Sequence, residues 1–472
     1  MDPTPEHGRP EPPVSPRRID WGIGPVPPAV ALAVLVAALG YFVDIFDLLL
    51  FAMLRKTSLQ EILAPQLATL HPAVQDQLLK DWGIWLDNIL QTSGLLVGGL
   101  VWGILGDRRG RLSVLFGSIL TYSVANILNA FIMDIPDGSP LGFLHAIGLG
   151  TATRQYEVLR FVAGFGLAGE LGAGITLVSE LVSREKRGFA TTIVATVGIL
   201  GAVAAYFVTT FVGWRTAFFI GGLLGLALLA LRVGVVESGM FVNLKEERAS
   251  GRGAFWRLFW PPGRLRRYLS IILVAVPIWF VVGTLVKYSD VIGTSLGLPA
   301  DQKPHPARAI MWCYLGLAAG DLASGLLSQL LRSRRLAIVV FLVITGLGGA
   351  AYFTLGGWGV GWFYASVTVL GFGAGYWAVF ATTAAESFGT DLRATAATTA
   401  PNIVRWSAAW TALLWTSLEG FFGQEGPGPW HAAATAGVIV LGVGFLGVLG
   451  MRETYGISLE YLESDDAKPV RA

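Results

Sequence analysis

GYFVDIFDLLLF, residues Gly40 to Phe51, sets Asp44 and Asp47 into a run that is otherwise apolar. A helix crosses a bilayer with about 20 mostly apolar residues, because every backbone amide and carbonyl must be satisfied within the segment. An ionised side chain near the centre costs about 2.5 to 3.5 kcal/mol on insertion scales, so a carboxylate there faces a cavity or a partner instead of lipid. The stretch therefore reads as a spanning helix with a polar task on one face. Composition agrees: 53% of the 472 residues are hydrophobic and 14% are charged, against about 25% charged in a soluble domain. Alternating ten-residue strands are absent from the sequence, which argues against a barrel.

Twelve segments meet the same length criterion, at 28–52, 86–106, 112–133, 156–181, 189–212, 216–236, 269–291, 308–331, 336–355, 359–385, 395–418 and 431–451. The chain is thus expected to be an all-α, multi-pass membrane protein. Residues 1–27 are rich in proline, carry Arg17 and Arg18, and lack the apolar core and small-residue cleavage site of a signal peptide. They read as a disordered tail ahead of an uncleaved anchor. Of the 34 lysines and arginines, 24 lie in the two tails and the even-numbered connections and seven in the odd-numbered ones. Three, Arg160, Lys287 and Arg405, fall inside spans. Because cytoplasmic loops hold the positive excess, both termini are expected in the cytoplasm, with the protein in the plasma membrane, a bacterial inner membrane being favoured. The single cysteine, Cys313, excludes an intramolecular disulfide and a cysteine metal site.

The longest connection, ESGMFVNLKEERASGRGAFWRLFWPPGRLRRYLS from Glu237 to Ser270, is basic and separates six spans from six. The expected units are a tail (1–27), a six-helix bundle (28–236), a cytoplasmic linker (237–268), a second six-helix bundle (269–451) and a tail (452–472). SELVSREKRGFA follows the fourth span and AESFGTDLRATA the tenth, with Glu180 seven residues before Arg187 and Glu386 seven before Arg393. A repeat at the same place in each half implies two related bundles, the arrangement that builds a midplane site with alternating access. Thr57–Trp82 is too polar to span. Leu59, Ile62, Leu63 and Leu70 give it an apolar face, so it is expected on the outer interface, as a plain loop or as a lid.

GILGDRRGRLSVLF, Gly103 to Phe116, closes the second span. Asp107 there can bond the N-terminus of a neighbouring helix, Arg108, Arg109 and Arg111 sit at the headgroups, and Gly106 and Gly110 allow a tight turn. The pattern resembles the loop signature of the major facilitator superfamily. That resemblance implies twelve transmembrane helices in two six-helix bundles with inverted repeats, and gating roles for Asp107, Arg108, Arg111, Glu180, Arg187, Glu386 and Arg393. After the eighth span, GLLSQLLRSRRLAI has Gln329 where the acid would be, so a latch there is expected to be weaker.

RFVAGFGLAGELGAGITLVSELVSREKRG, Arg160 to Gly188, is similar to the fourth span of the metabolite:proton symporters. Ala168 and Leu171 depart from that family's Gly-Gly-Glu-Trp-Gly-Gly, while Glu170 keeps its acid. GYFVDIFDLLLF resembles the same family's first-span motif, with Asp44 where the family has Glu and Asp47 matching its Asp. RETYGISLEYLE, Arg452 to Glu463, is similar to the ending shared with sugar porters, Arg452 replacing proline.

Depth along each span suggests which charges meet. Asp44 lies about 6 Å, Asp47 about 10 Å and Arg160 roughly 13 Å to the outer side of the bilayer centre. These three are candidates for a proton-coupling network, because desolvation and a nearby guanidinium push a carboxyl's proton affinity in opposite directions and a contact that breaks and re-forms binds and releases a proton. The alternative is a static ion pair. Glu170, Asp321 and Arg405 fall near span centres and are the candidates for binding substrate. Glu170 suits a titrating group, a substrate ligand or a helix-packing acid. Arg405 suits an anionic substrate, since a guanidinium holds a carboxylate through two hydrogen bonds, or it partners Asp321. Lys287 and Asp290 read as a snorkelling pair in preference to ligands, and Trp279, Phe280, Tyr376 and Trp377 as packing or interface residues, with lining a cavity as the other reading.

The sequence has no Walker lysine loop, no metal-ligand cluster and no Ser-His-Asp context, so ATP-driven transport and hydrolysis lack support. The expected function is secondary transport, not enzymatic: a small polar metabolite moved by alternating access with proton coupling. The resemblance implies an organic acid or zwitterion. A sugar or polyol porter, an exporter and a transporter-shaped receptor are the other readings. The expected partners are a small-molecule substrate, protons and the lipid bilayer, with no nucleic acid, no cofactor, no metal, and a monomeric state.

Overall fold

Apolar runs in a bilayer fold as helices, and their order sets the architecture. The computed structural model describes residues 28–109, 111–169, 187–237, 255–457 and 463. The first half runs α1 (Pro28–Ile62), α2 (Pro72–Gly83), α3 (Thr92–Arg109), α4 (Arg111–Asn129), α5 (Ala152–Leu167), α6 (Arg187–Ile199), α7 (Gly201–Phe211) and α8 (Trp214–Glu237). The second half runs α9 (Pro262–Phe280), α10 (Ser289–Ser295), α11 (Pro306–Leu330), α12 (Arg334–Leu355), α13 (Val360–Ala374), α14 (Trp377–Glu386), α15 (Thr390–Phe422) and α16 (Gly428–Gly450). A π-helical segment, Ile84–Gln91, joins α2 to α3, and another, Val281–Val286, extends α9.

Nine stretches among the described residues are long and apolar enough to cross a membrane. Three more passes make twelve, in two six-helix bundles. They are α4, α5 and the 33-residue α15. The rest of the expected fourth span, up to residue 181, lies outside the described residues.

Two expectations change at the end of the molecule that carries α2. The first helix does not stop at 52: with 35 residues it is about 52 Å long and outruns the hydrocarbon. Thr57–Trp82 is not a loop on the interface either. Leu59 and Leu63 of its apolar face are buried, as is Leu67, and Ile62 and Leu70 are half-buried, while α2 continues without a break into the second span. The apolar face that suggested lipid contact packs on protein.

The two halves repeat one packing device. Cβ atoms added at Gly94 and Gly98 of α3 would overlap the carbonyl oxygens of Phe161 and Phe165 on α5. Cβ atoms added at Gly316 and Gly320 of α11 would overlap those of Thr368 and Phe372 on α13. Small residues four apart let helix backbones touch, which in lipid supplies the van der Waals contact that an apolar solvent does not drive. The Gly-rich sequences therefore place the second and fourth spans, and the eighth and tenth, in equivalent close pairs.

Candidate functional site

A buried charge pair crosses the halves. Arg405 of α15 donates from Nη2 to Asp44 Oδ2 of α1 at 3.2 Å, and both side chains are fully buried. Trp279 of α9 and Trp377 of α14 flank the guanidinium, with ring centroids 6.0 and 5.9 Å from Cζ and 6.4 Å from each other. Tyr41, one turn before Asp44, faces both charges. Nε and Nη1 of Arg405 are buried with no hydrogen-bond partner. Buried donors are rarely left so, and a planar fork with unused donors matches the geometry of a carboxylate.

Asp47 and Arg160 form a second cluster on the first half alone. Arg160 Nη2 donates to Asn126 Oδ1 of α4 at 3.1 Å, and Asp47 neighbours Asp44, Arg160 and Asn126. Phe218, Phe51 and Tyr156 surround the guanidinium at 4.7, 5.6 and 5.7 Å. Both Asp47 carboxyl oxygens, and Nε and Nη1 of Arg160, are buried without hydrogen-bond partners. The expected trio is thus divided, with Asp44 given to Arg405 and Asp47 left beside Arg160 and Asn126. Sequence reading missed Asn126, a small polar residue with no charge to mark it.

Asp321 does not meet Arg405 by a hydrogen bond. Its Oδ1 accepts from the Ala378 backbone N–H at 2.9 Å and it also faces the Trp377 N–H. The tenth span breaks at Gly375 and Tyr376, and Asp321 satisfies the first donors of α14, where an anion suits the helix dipole. It thereby fixes Trp377 beside Arg405. Tyr376 ties the same break to α9, donating to Val274 O at 2.8 Å.

At the α2 end, buried ion pairs join the halves. Lys287 Nζ lies 2.6 Å from Asp87, Arg55 Nη2 3.1 Å from Asp290, and Lys80 Nζ 2.7 Å from Glu419. Asn88 Nδ2 donates to Gly283 O and Ala408 O at 2.9 and 3.1 Å, and Asn88 Oδ1 accepts from Tyr288 Oη at 3.1 Å. Lys287 and Asp290 are therefore not a snorkelling pair: both are buried, and each is matched to an opposite charge of the other half. Trp279, Phe280, Tyr376 and Trp377 are likewise buried inside the bundle and form no interface belt.

The family model for the Major Facilitator Superfamily matches residues 81–410. The chain belongs to this superfamily. Among curated relatives it is 28% identical over 254 residues to a putative niacin/nicotinamide transporter, NiaP, of Bacillus subtilis, covering 52% of this chain and 53% of that one. It is 28% identical to the 3-(3-hydroxy-phenyl)propionate transporter of Escherichia coli, covering 52% and 56%, and 26% identical to a gallate transporter of Pseudomonas putida, covering 60% of each. The chain thus spans about half the length of the curated relatives it matches. The solved proton:xylose symporter XylE superposes with a TM-score of 0.64 at 18% identity, over 92% of this chain and 98% of that one, which shows a shared fold.

The other end of this facilitator carries the remaining expected residues. Glu386 pairs with Arg334 at 3.3 Å and accepts from Thr454 Oγ1 at 2.9 Å. Glu453 accepts from Ser333 Oγ at 2.5 Å and from the Arg334 N–H at 2.9 Å, so it caps α12 from the C-terminal motif. Burial pushes the Glu453 carboxyl up, but hydrogen bonds from Ser333 and the Arg334, Tyr455 and Arg335 amides outweigh it and hold the group below the usual carboxylate range. Glu463 bridges Arg264 and Arg267 at 3.2 and 2.9 Å and accepts from the Gly389 N–H at 3.1 Å. Acids at this end thus come from Glu386 and the C-terminal segment, and they gather on the start of α12. Arg393 lies in the first turn of α15. Glu170 and Glu180 lie outside the described residues, as do the side chains of Asp107, Arg108, Arg111 and Arg187.

Proposed function

We propose that this chain is a proton-coupled symporter of a small carboxylate, with Arg405 as the anion site and Asp44 as the group that exchanges the anion for a proton. The observation that carries it is the buried Arg405–Asp44 pair across the halves, set between two indoles, with two guanidinium nitrogens, Nε and Nη1, unused. With Asp44 ionised, its carboxylate occupies the arginine. A substrate carboxylate that takes the guanidinium through its fork leaves Asp44 without a counter-charge in a buried place, and binding a proton is the way to avoid an isolated buried anion. Anion and proton then enter together as a neutral set, and the bond that tied α1 to α15 is gone. The halves, 28–236 and 269–451, are free to rock.

Trp279 and Trp377 offer apolar faces to the rest of the substrate, which favours an aromatic or similarly flat acid over a zwitterion. The names of the relatives support this, since niacin, hydroxyphenylpropionate and gallate each combine a ring with a carboxylate. A sugar or polyol would leave the Arg405 donors without a charge once Asp44 is protonated, so the acid is the better fit. Asp47 and Arg160 serve as the second proton-coupling pair. The loop charges support an α2 end that faces outward and both termini in the cytoplasm of a bacterial inner membrane, and the buried ion pairs between the halves at that end support a state closed to the outside.

The test is uptake by the full chain in proteoliposomes, using labelled aromatic acids, aliphatic acids, betaines, amino acids and sugars, with and without an inward proton gradient. Accumulation of an aromatic acid only with the gradient supports the proposal. Gradient-independent equilibration, or accumulation of a sugar in its place, overturns it.

A further inference from the structure

Asp87 is no part of the proposed substrate site, yet its carboxylate is buried against Lys287 of the other half at 2.6 Å. It sits in the π-helical Ile84–Gln91, and Lys287 follows directly on the π-helical Val281–Val286. π-Helical turns are rare and gather at functional sites. Here the two touch, through the bond from Asn88 to Gly283 O.

Asp87 also stands level with Arg160. The second and fourth spans run parallel, and a Cβ added at Gly164 would overlap Gln91 O, so backbone contact fixes their register. Four residues earlier on each helix, about one turn toward the α2 end, come Asp87 and Arg160. The bond from Trp85 Nε1 to Glu157 Oε1, at 2.9 Å, continues the same register. The electrostatic neighbours of Arg160 are accordingly Tyr156, Asp87 and Asp47. Arg160 uses Nη2 on Asn126 and keeps Nε and Nη1 buried without partners.

We infer that Asp87 is a shared counter-charge, held by Lys287 while the α2 end is closed and taken by Arg160 when the halves part. Opening carries Lys287 away with the second half. A buried carboxylate that loses its partner is strongly unfavourable, and the unused donors of Arg160 lie on the adjacent helix of the same half. As Arg160 turns to Asp87 it leaves Asp47, which a proton then neutralises. Gate opening and proton uptake become one event, with Asp87 a positioning residue that acts on Asp47 through Arg160. The charged and titratable groups around Asp87 are Lys287 and Tyr288 beyond α9, Arg55 of α1, Tyr156 and Arg160 of α5, and Tyr314 of α11. Around Asp47 they are Asp44 and Arg160.

The inference rests on the proton-coupled reading, and the test separates the two. Spin labels on Val74 and Asp301, both exposed and on opposite halves at the α2 end, report opening of the full chain in lipid nanodiscs as a function of pH, in a Cys313→Ser background. The wild type is expected to open as pH falls, because the open state binds the extra proton. Lys287→Met opens at higher pH and keeps that dependence, since Asp87 is free for Arg160. Asp87→Asn opens as well but loses most of the dependence, and Asp87→Glu restores it. A plain structural ion pair predicts the same profile for Lys287→Met and Asp87→Asn, and that outcome in a pH-sensitive wild type overturns the relay alone. A wild type that does not respond to pH overturns the proton-coupled reading together with it.

Discussion

Arg405 combines two demands that a lysine meets only in part: it pairs with Asp44 and it holds spare donors in a plane between two indoles. Arg405→Lys keeps the charge and loses the fork. A hydrogen bond to a charged group contributes about 1.5 to 3 kcal/mol, so the substrate KM is expected to rise about tenfold to a hundredfold, with kcat less affected. Proteoliposome kinetics read this directly, and an unchanged KM removes Arg405 from the site. Asp44→Asn is the complementary case. It cannot take up the exchanged proton, so gradient-driven accumulation is expected to vanish while substrate exchange between the two sides persists. How legible these residues were follows from charge. Asp44, Asp47, Arg160 and Arg405 stood out because an ion in an apolar run needs a reason. Their partners did not, because pairing Asp44 with a residue 361 positions away is decided by how two bundles meet. Asn126 was silent because an uncharged amide is common in a helix.

At the scale of helices, the broken tenth span shows how an element serves the site. Asp321 of α11 caps α14, and the cap aims Trp377 at Arg405. Asp321→Asn keeps an acceptor and is expected to be mild, whereas Asp321→Ala should cost roughly 0.5 to 2 kcal/mol, the usual loss for a missing cap. A direct substrate ligand would give the reverse emphasis, with Asn as damaging as Ala to KM at unchanged melting temperature. Glu453 caps α12 in the same way and adds a pH signature. Its folded proton affinity is depressed, so its stabilisation is full above the unfolded value of about 4.3 and is lost as pH falls through the lower folded value. The melting-temperature gap between wild type and Glu453→Gln should therefore be widest at neutral pH and close on acidification; a gap that is constant with pH contradicts this. Span positions were readable because hydrophobic length is a local property. The extension of α1 past residue 52 and α2 were not, because polar residues such as Arg55 and Lys80 look like loop in a hydropathy reading until a partner half neutralises them; the two π-helical segments were not, because hydropathic length does not tell a π turn from an α turn within a span.

For the whole molecule, the α2 end is held by charges whose partners lie on the opposite half, so under the proposed alternating access each pair is expected in one state only. Lys80 and Glu419 show what that implies. Both are buried, 2.7 Å apart, with Lys80 also over Trp415 at 5.2 Å. Removing one partner of a buried pair costs about 3 to 5 kcal/mol, while replacing both with apolar residues of similar volume is close to neutral. In a protein with two states the penalty of a single substitution falls on the closed state, where the orphaned charge stays dry, and much less on the open state, where water reaches it. Lys80→Met and Glu419→Met should therefore each shift the population toward the open α2 end, and the double substitution should bring it back. A cysteine at position 284, buried next to Gly283, where Asn88 of the first half bonds the second, is expected to report this by its alkylation rate in a Cys313→Ser background. Each single variant is expected to label at least about tenfold faster than the parent, equivalent to about 1.4 kcal/mol of population shift, and the double variant to label at the parental rate. If the double variant labels as fast as the singles, the seam is held by packing of the π-helical segments and the ion pair only follows it.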